Sequence, residues 1–106
     1  MTLAIKALAE MAGTFAIIFV GGSSILLSEK FPNLFPSFGI AITFGCVVTL
    51  MILAVGHLSG AHFNPAVTLA FAVTKRFPAE QVFLYWLSQC TGGLAAAGLL
   101  IALKQI

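Results

Sequence analysis

Three groups of residues in this chain have the chemistry to do more than pack: His57 and His62, the pair Asn64-Pro65, and the glutamates Glu10, Glu29 and Glu80. The histidines stand five apart across Ser59-Gly60, with no cysteine or carboxylate beside them, so the set of donors that holds a metal ion is absent from this stretch. The three glutamates fall in separate segments and form no general acid and base pair. No nucleophile with an adjacent base and no phosphate-binding glycine loop accompanies them. Enzymatic chemistry is therefore not expected, and no cofactor is implied. What remains is Asn64-Pro65. Asparagine is a good N-cap, and proline suits the first helical position because its fixed φ and missing N–H cost nothing there. On an ordinary surface this pair only starts a helix. If the helix started inside a membrane, the half positive charge of its N-terminus would repel cations while the Asn64 amide offered donors to a neutral solute.

Whether the pair has that setting depends on the elements around it. The chain has 106 residues, is 60% hydrophobic and only 8% charged, and has a mean hydropathy of +1.11. Eight charged residues cannot clothe three or four soluble helices, so an integral membrane protein is expected. A net charge of +2, scattered along the chain, excludes a nucleic-acid footprint. Cys46 and Cys90 lie in apolar segments, where the reading is a small buried hydrophobe rather than a disulfide or a metal ligand. The start could pass for a secretory signal, but Glu10 interrupts it and apolar residues follow Gly21-Gly22-Ser23-Ser24, so the segment reads as a retained span.

Lengths then divide the chain. A first transmembrane helix is predicted at about residues 3–27, followed by a surface connection with Glu29, Lys30, Pro32 and Pro36. From Leu34 to Thr74 no charge occurs. As one helix that run would be ~60 Å long, twice the ~30 Å hydrocarbon core. It predicts one span at about 38–55, a glycine- and histidine-bearing turn over 56–63, and an apolar helix over about 65–74 of only ~15 Å. A helix that short, closed by Lys75-Arg76, cannot reach the far side and must return to the side it entered from. Irregular backbone at such depth is tolerated only inside protein or against a water-filled cavity. A last span is predicted at about 82–103, with Gly92, Gly93, Ala96, Ala97 and Gly98 allowing close helix approach. The fold class is thus an all-α membrane protein: three transmembrane helices plus one re-entrant half-helix in a single membrane domain over 1–106. Lys6, Lys75 and Arg76 on one side against Lys30 and Lys104 on the other favour a cytoplasmic amino terminus by three basic residues to two.

The run Gly56-His57-Leu58-Ser59-Gly60-Ala61-His62-Phe63-Asn64-Pro65-Ala66-Val67-Thr68 resembles the first Asn-Pro-Ala loop of the aquaporin, or major intrinsic protein, family. Glu10-Met11-Ala12-Gly13-Thr14-Phe15 and Gln89-Cys90-Thr91-Gly92 are similar to further patterns of that family. His62-Phe63 and Lys75-Arg76-Phe77-Pro78 resemble its nodulin-26-like and related bacterial branch. The resemblance covers the chain but only the first of the family's two inverted repeats. It implies a passive channel in the cell membrane for water and for glycerol or other small uncharged solutes, assembled as a homotetramer of complete channels. Asn64, Pro65, Ala66, His62 and Phe44 would face or shape the pore, and Glu10, His57 and Gly60 would support the re-entrant loop. Each has a plainer reading: Phe44 as lipid or core packing, His57 as a hydrogen-bonded structural residue or a pH sensor, and Glu10 as a carboxylate at the interface beside Lys6, costing up to ~3 kcal/mol if placed at mid-bilayer. The second half-helix is missing from this sequence, so a pore needs a second inverted half-repeat or a longer parent. The chain would then be a portion of a full channel, one half of a split channel, or a non-conducting membrane interaction protein. A secondary transporter also uses broken helices, but the paired intramembrane ionisable groups of ion coupling are missing.

Overall fold

The computed structural model describes residues 1–105, and its elements are four α-helices and one short 3₁₀ turn. Helix α1 runs Leu3–Lys30, α2 Ser37–Ser59, α3 Pro65–Val73 and α4 Val82–Lys104, with the 3₁₀ turn Ala79–Gln81 leading into α4. Helices α1, α2 and α4 are each long and apolar enough to cross a membrane, and α3 with its 9 residues is not.

Local chemistry sets each boundary. Thr2 caps α1 by accepting from the Ile5 N–H at 3.2 Å. Pro32 cannot donate to Ser28, so α1 closes with the Phe31 N–H on the Leu27 carbonyl at 2.8 Å. Helix α2 corrects the sequence reading. It carries on through Gly56, His57, Leu58 and Ser59 in place of stopping near residue 55, because Gly56 keeps a helical conformation and the turn to φ 90° comes only at Gly60, a left-handed cap. The half-helix α3 ends in a Schellman motif. Arg76 N–H reaches the Phe71 carbonyl at 2.8 Å and Lys75 N–H the Ala72 carbonyl at 3.1 Å, with Lys75 at φ 61° in the place glycine usually takes.

Helix α1 packs against both α2 and α4, and α3 lies on α4. The α1–α4 seam is closed by glycine: a Cβ on Gly92 would run into the Met11 main-chain carbonyl, so any side chain there would force the helices apart. The buried face of α4 recurs every three or four residues, at Tyr85, Ser88, Gln89, Gly92 and Ala96. Half of that face is polar, and it turns toward the loop that precedes α3. Outside, large apolar side chains such as Leu50, Leu53, Val73 and Leu94 are exposed, a surface suited to lipid or to further protein. Cys46 and Cys90 are free and exposed on this surface, contrary to the buried role expected of them.

Candidate functional site: the loop before the half-helix

The loop is held by one buried carboxylate. Glu10 has no exposed surface, and its two oxygens take four hydrogen bonds. Oε2 accepts from the Ser59 hydroxyl at 2.6 Å and the His62 N–H at 3.0 Å. Oε1 accepts from the Phe63 N–H at 2.7 Å and the Gln89 side-chain amide at 2.8 Å. Every partner is neutral, and the two backbone donors belong to the loop itself. Lys6 is not among these partners. A carboxylate with four donors aimed at it is solvated by protein, which is how a charge is tolerated at this depth. Depth follows from position: Glu10 and Gln89 are each the eighth residue of their helices, about 10 Å along the axis at 1.5 Å per residue.

A second set of bonds ties the loop to α4. Tyr85, fully buried, donates its hydroxyl to the Ser59 carbonyl at 2.7 Å, and the Trp86 indole donates to the Pro65 carbonyl at 3.0 Å. Gln89 also donates to Thr68 Oγ1 at 3.0 Å, and Thr68 Oγ1 stands 2.8 Å from His62 Nδ1. The ring is buried among Phe71, Phe77 and Tyr85, with centroids 4.8, 4.8 and 5.0 Å away. The His62 side chain is thus enclosed by aromatic rings and joined to α3 through Thr68. Phe63 is buried as well, its ring lying where Gly13 has no Cβ.

Between these anchors the backbone is turned over three times. Gly60, Ala61 and Phe63 have φ of 90°, 55° and 55°. For alanine and phenylalanine the left-handed region costs about 1 kcal/mol or more each, so the fixed contacts of Glu10 and Gly13 must hold them there. Among the described residues, the carbonyls of Gly60, Ala61, His62 and Phe63 accept no hydrogen bond. Next comes Asn64, exposed, its Oδ1 accepting from the Ala66 N–H at 2.8 Å and its amide NH₂ left without a partner. Pro65 occupies the first position of α3, and Ala66 beside it is exposed. The site is therefore a row of four free acceptors leading to a free donor at the positive end of a short helix.

The remaining candidates lie elsewhere. Phe44 is half-buried in the middle of α2, its ring laid over Gly21 of α1, roughly 22 Å along α2 from Ser59. His57 is exposed on the last turn of α2, and among the described residues its side chain makes no hydrogen bond to the loop. Gly60 opens the loop as the left-handed cap of α2. The bonds of Ser59, Thr68, Tyr85 and Gln89 have little signature in the sequence beyond Tyr85, Ser88 and Gln89, three polar-bearing residues spaced three to four apart along apolar α4. Among the described residues no group of three or more His, Cys, Asp or Glu is placed to hold a metal ion.

The sequence profile of the major intrinsic proteins matches residues 1–105. The chain belongs to the major intrinsic protein family. Nodulin-26 of Glycine max is 47% identical over 95 residues, covering 90% of this chain and 35% of that protein. Aquaporin NIP3-1 of Arabidopsis thaliana is 47% identical over 95 residues, 90% of this chain and 29% of its own length. Aquaporin Z of Brucella melitensis is 44% identical over 101 residues, 94% of this chain and 44% of that protein. This major intrinsic protein chain therefore spans between about a third and under half the length of these curated relatives. Its all-helical fold is that of one half-repeat of the family, and the braced loop is where this half-repeat concentrates its buried polar bonds.

Proposed function

We propose that this chain supplies one half of a passive membrane channel for water and for glycerol or other small uncharged solutes. The observation that carries the proposal is the row of unpartnered carbonyls from Gly60 to Phe63, ending at the free amide of Asn64, about 10 Å inside the ends of α1 and α4. At that depth an unpaired carbonyl is costly unless water meets it, so the row is a track for water. A neutral solute exchanges hydrogen bonds along the track; a cation arriving at Asn64 meets the positive end of α3 and loses its hydration shell. Pro65 and Ala66 keep the helix start narrow and free of competing donors.

The other wall of the pore comes from a second, inverted half-repeat, either downstream in a longer parent or on another chain, and complete channels assemble as homotetramers. The amino terminus, with Lys6, Lys75 and Arg76, is cytoplasmic in a cell membrane. Phe44 contributes an aromatic wall to the outer filter. Asn64→Asp tests the barrier: in the complete assembly, the added negative charge should raise sodium leak while water flux persists. An unchanged cation leak in that variant would remove Asn64 and the helix dipole from the mechanism.

A further inference from the structure

Helices α1 and α4 touch closely where Gly92 meets the Met11 carbonyl, and again nearer their carboxyl ends, where Leu100 lies against Gly22. There two crevices, of about 440 Å³ and 280 Å³, share Leu26 and Leu100 in their walls. The larger lies within the range of small-molecule sites. Both clefts have apolar walls, including Leu103 in the larger one, and both reach Lys104. Glu29 and Lys30 complete the charged mouth of the larger cleft. Two apolar clefts that share one charged mouth match an amphiphile with two chains and one head.

The charges at the mouth select the head. Two ammonium groups face one carboxylate, and α1 ends here, bringing about half a negative charge. The carbonyls of Ser28, Glu29 and Lys30 also find no hydrogen-bond donor among the described residues. The balance is only weakly positive, so a purely anionic headgroup gains little net attraction. A zwitterion gains twice: its phosphate lies toward Lys30 and Lys104, and its cation lies toward Glu29 and the free carbonyls. Of the two common zwitterionic cations, a primary ammonium can donate N–H groups to those acceptors, and a trimethylammonium cannot.

We propose that this crevice binds a diacyl zwitterionic phospholipid with a primary ammonium, of the phosphatidylethanolamine kind. The site depends only on the chain's place in a membrane, and holds whether or not the loop conducts. The test is photo-crosslinking of the purified protein in nanodiscs with a phosphatidylethanolamine analogue that carries a photoreactive group in its acyl chain. Labels are expected to concentrate in the peptides around Leu26 and Leu100–Lys104. Unlabelled phosphatidylethanolamine should compete about fivefold better than phosphatidylcholine or phosphatidylglycerol, as expected for one charge contact at a partly exposed site. Glu29→Gln, at an exposed position, should abolish the preference over phosphatidylglycerol with helicity unchanged, and Lys104→Gln should lower labelling severalfold. Equal competition by all three lipids, labels spread evenly along α2, or crosslinks showing the crevice filled by a later segment or a second copy would each overturn the proposal.

Discussion

Replacing Glu10 by glutamine removes one acceptor and adds a donor at the point where four donors converge. The amide nitrogen is best tolerated on the Oε2 side, because the Ser59 hydroxyl can rotate to accept, whereas the His62 N–H cannot reverse. That N–H is then orphaned, at about 1–3 kcal/mol. The Phe63 and Gln89 bonds persist but lose their charge assistance, about 1 kcal/mol each. Burying an amide is less costly than burying a carboxylate, which offsets part of the loss. The net expectation is about 2 kcal/mol of destabilisation for Glu10→Gln. For Glu10→Ala it is about 4 kcal/mol or more, since all four donors lose their acceptor. Reversible unfolding in mixed micelles titrated with SDS reads both. Because the loop is the part released, limited proteolysis between Ser59 and Asn64 should quicken in both variants before α1 and α4 separate. If both variants unfold within about 0.5 kcal/mol of the parent, the carboxylate does not hold the loop and the bonding scheme described above is wrong.

Other substitutions probe separate parts of the same arrangement. Gly92→Ala should destabilise by about 1–3 kcal/mol, because its Cβ meets backbone that cannot turn aside; the same micelle titration reads it, and a neutral result would contradict the close α1–α4 seam. Gly60→Ala should cost about 1 kcal/mol through its φ of 90° and lower the thermal midpoint, whereas Gly45→Ala, where the added Cβ meets nothing, should not. Thr68→Val removes the hydroxyl shared by His62 and Gln89, and should cost about 1–2 kcal/mol, visible as faster amide exchange at His62 and Phe63.

The fold was legible where physical limits are sharp. A charge-free run too long for one span, interrupted so that only about ten apolar residues follow the turn, forces a half-helix, and Asn64-Pro65 marks its start. The α2 boundary was not legible, because Gly56 and His57 look like turn residues, while the true stop is the left-handed Gly60 one turn later. Part of the site could be read as well: Glu10 is conspicuous in an apolar span because a carboxylate there must have partners. Its actual partners are less visible in sequence. Two are backbone N–H groups, which have no residue signature, and the others come from Ser59 and from Gln89, 79 positions downstream. His57 and His62 look equivalent in the sequence. Only three-dimensional packing separates an exposed ring on a helix end from one enclosed by three aromatics. The cysteines fail for a related reason, since apolar surroundings in a membrane protein mark lipid-facing positions as readily as a core.

Osmotic water permeability of proteoliposomes is the most direct measure of the central claim, that the Gly60–Asn64 loop forms one wall of a water track completed by an inverted second half. With the second half-repeat co-reconstituted, permeability should rise well above that of empty vesicles. In a background lacking Cys46 and Cys90, a cysteine placed by Ala66→Cys should make that flux sensitive to a mercurial reagent. Flux that stays at the level of empty vesicles with both halves folded and inserted, or that persists fully after the cysteine at position 66 is modified, would contradict the account.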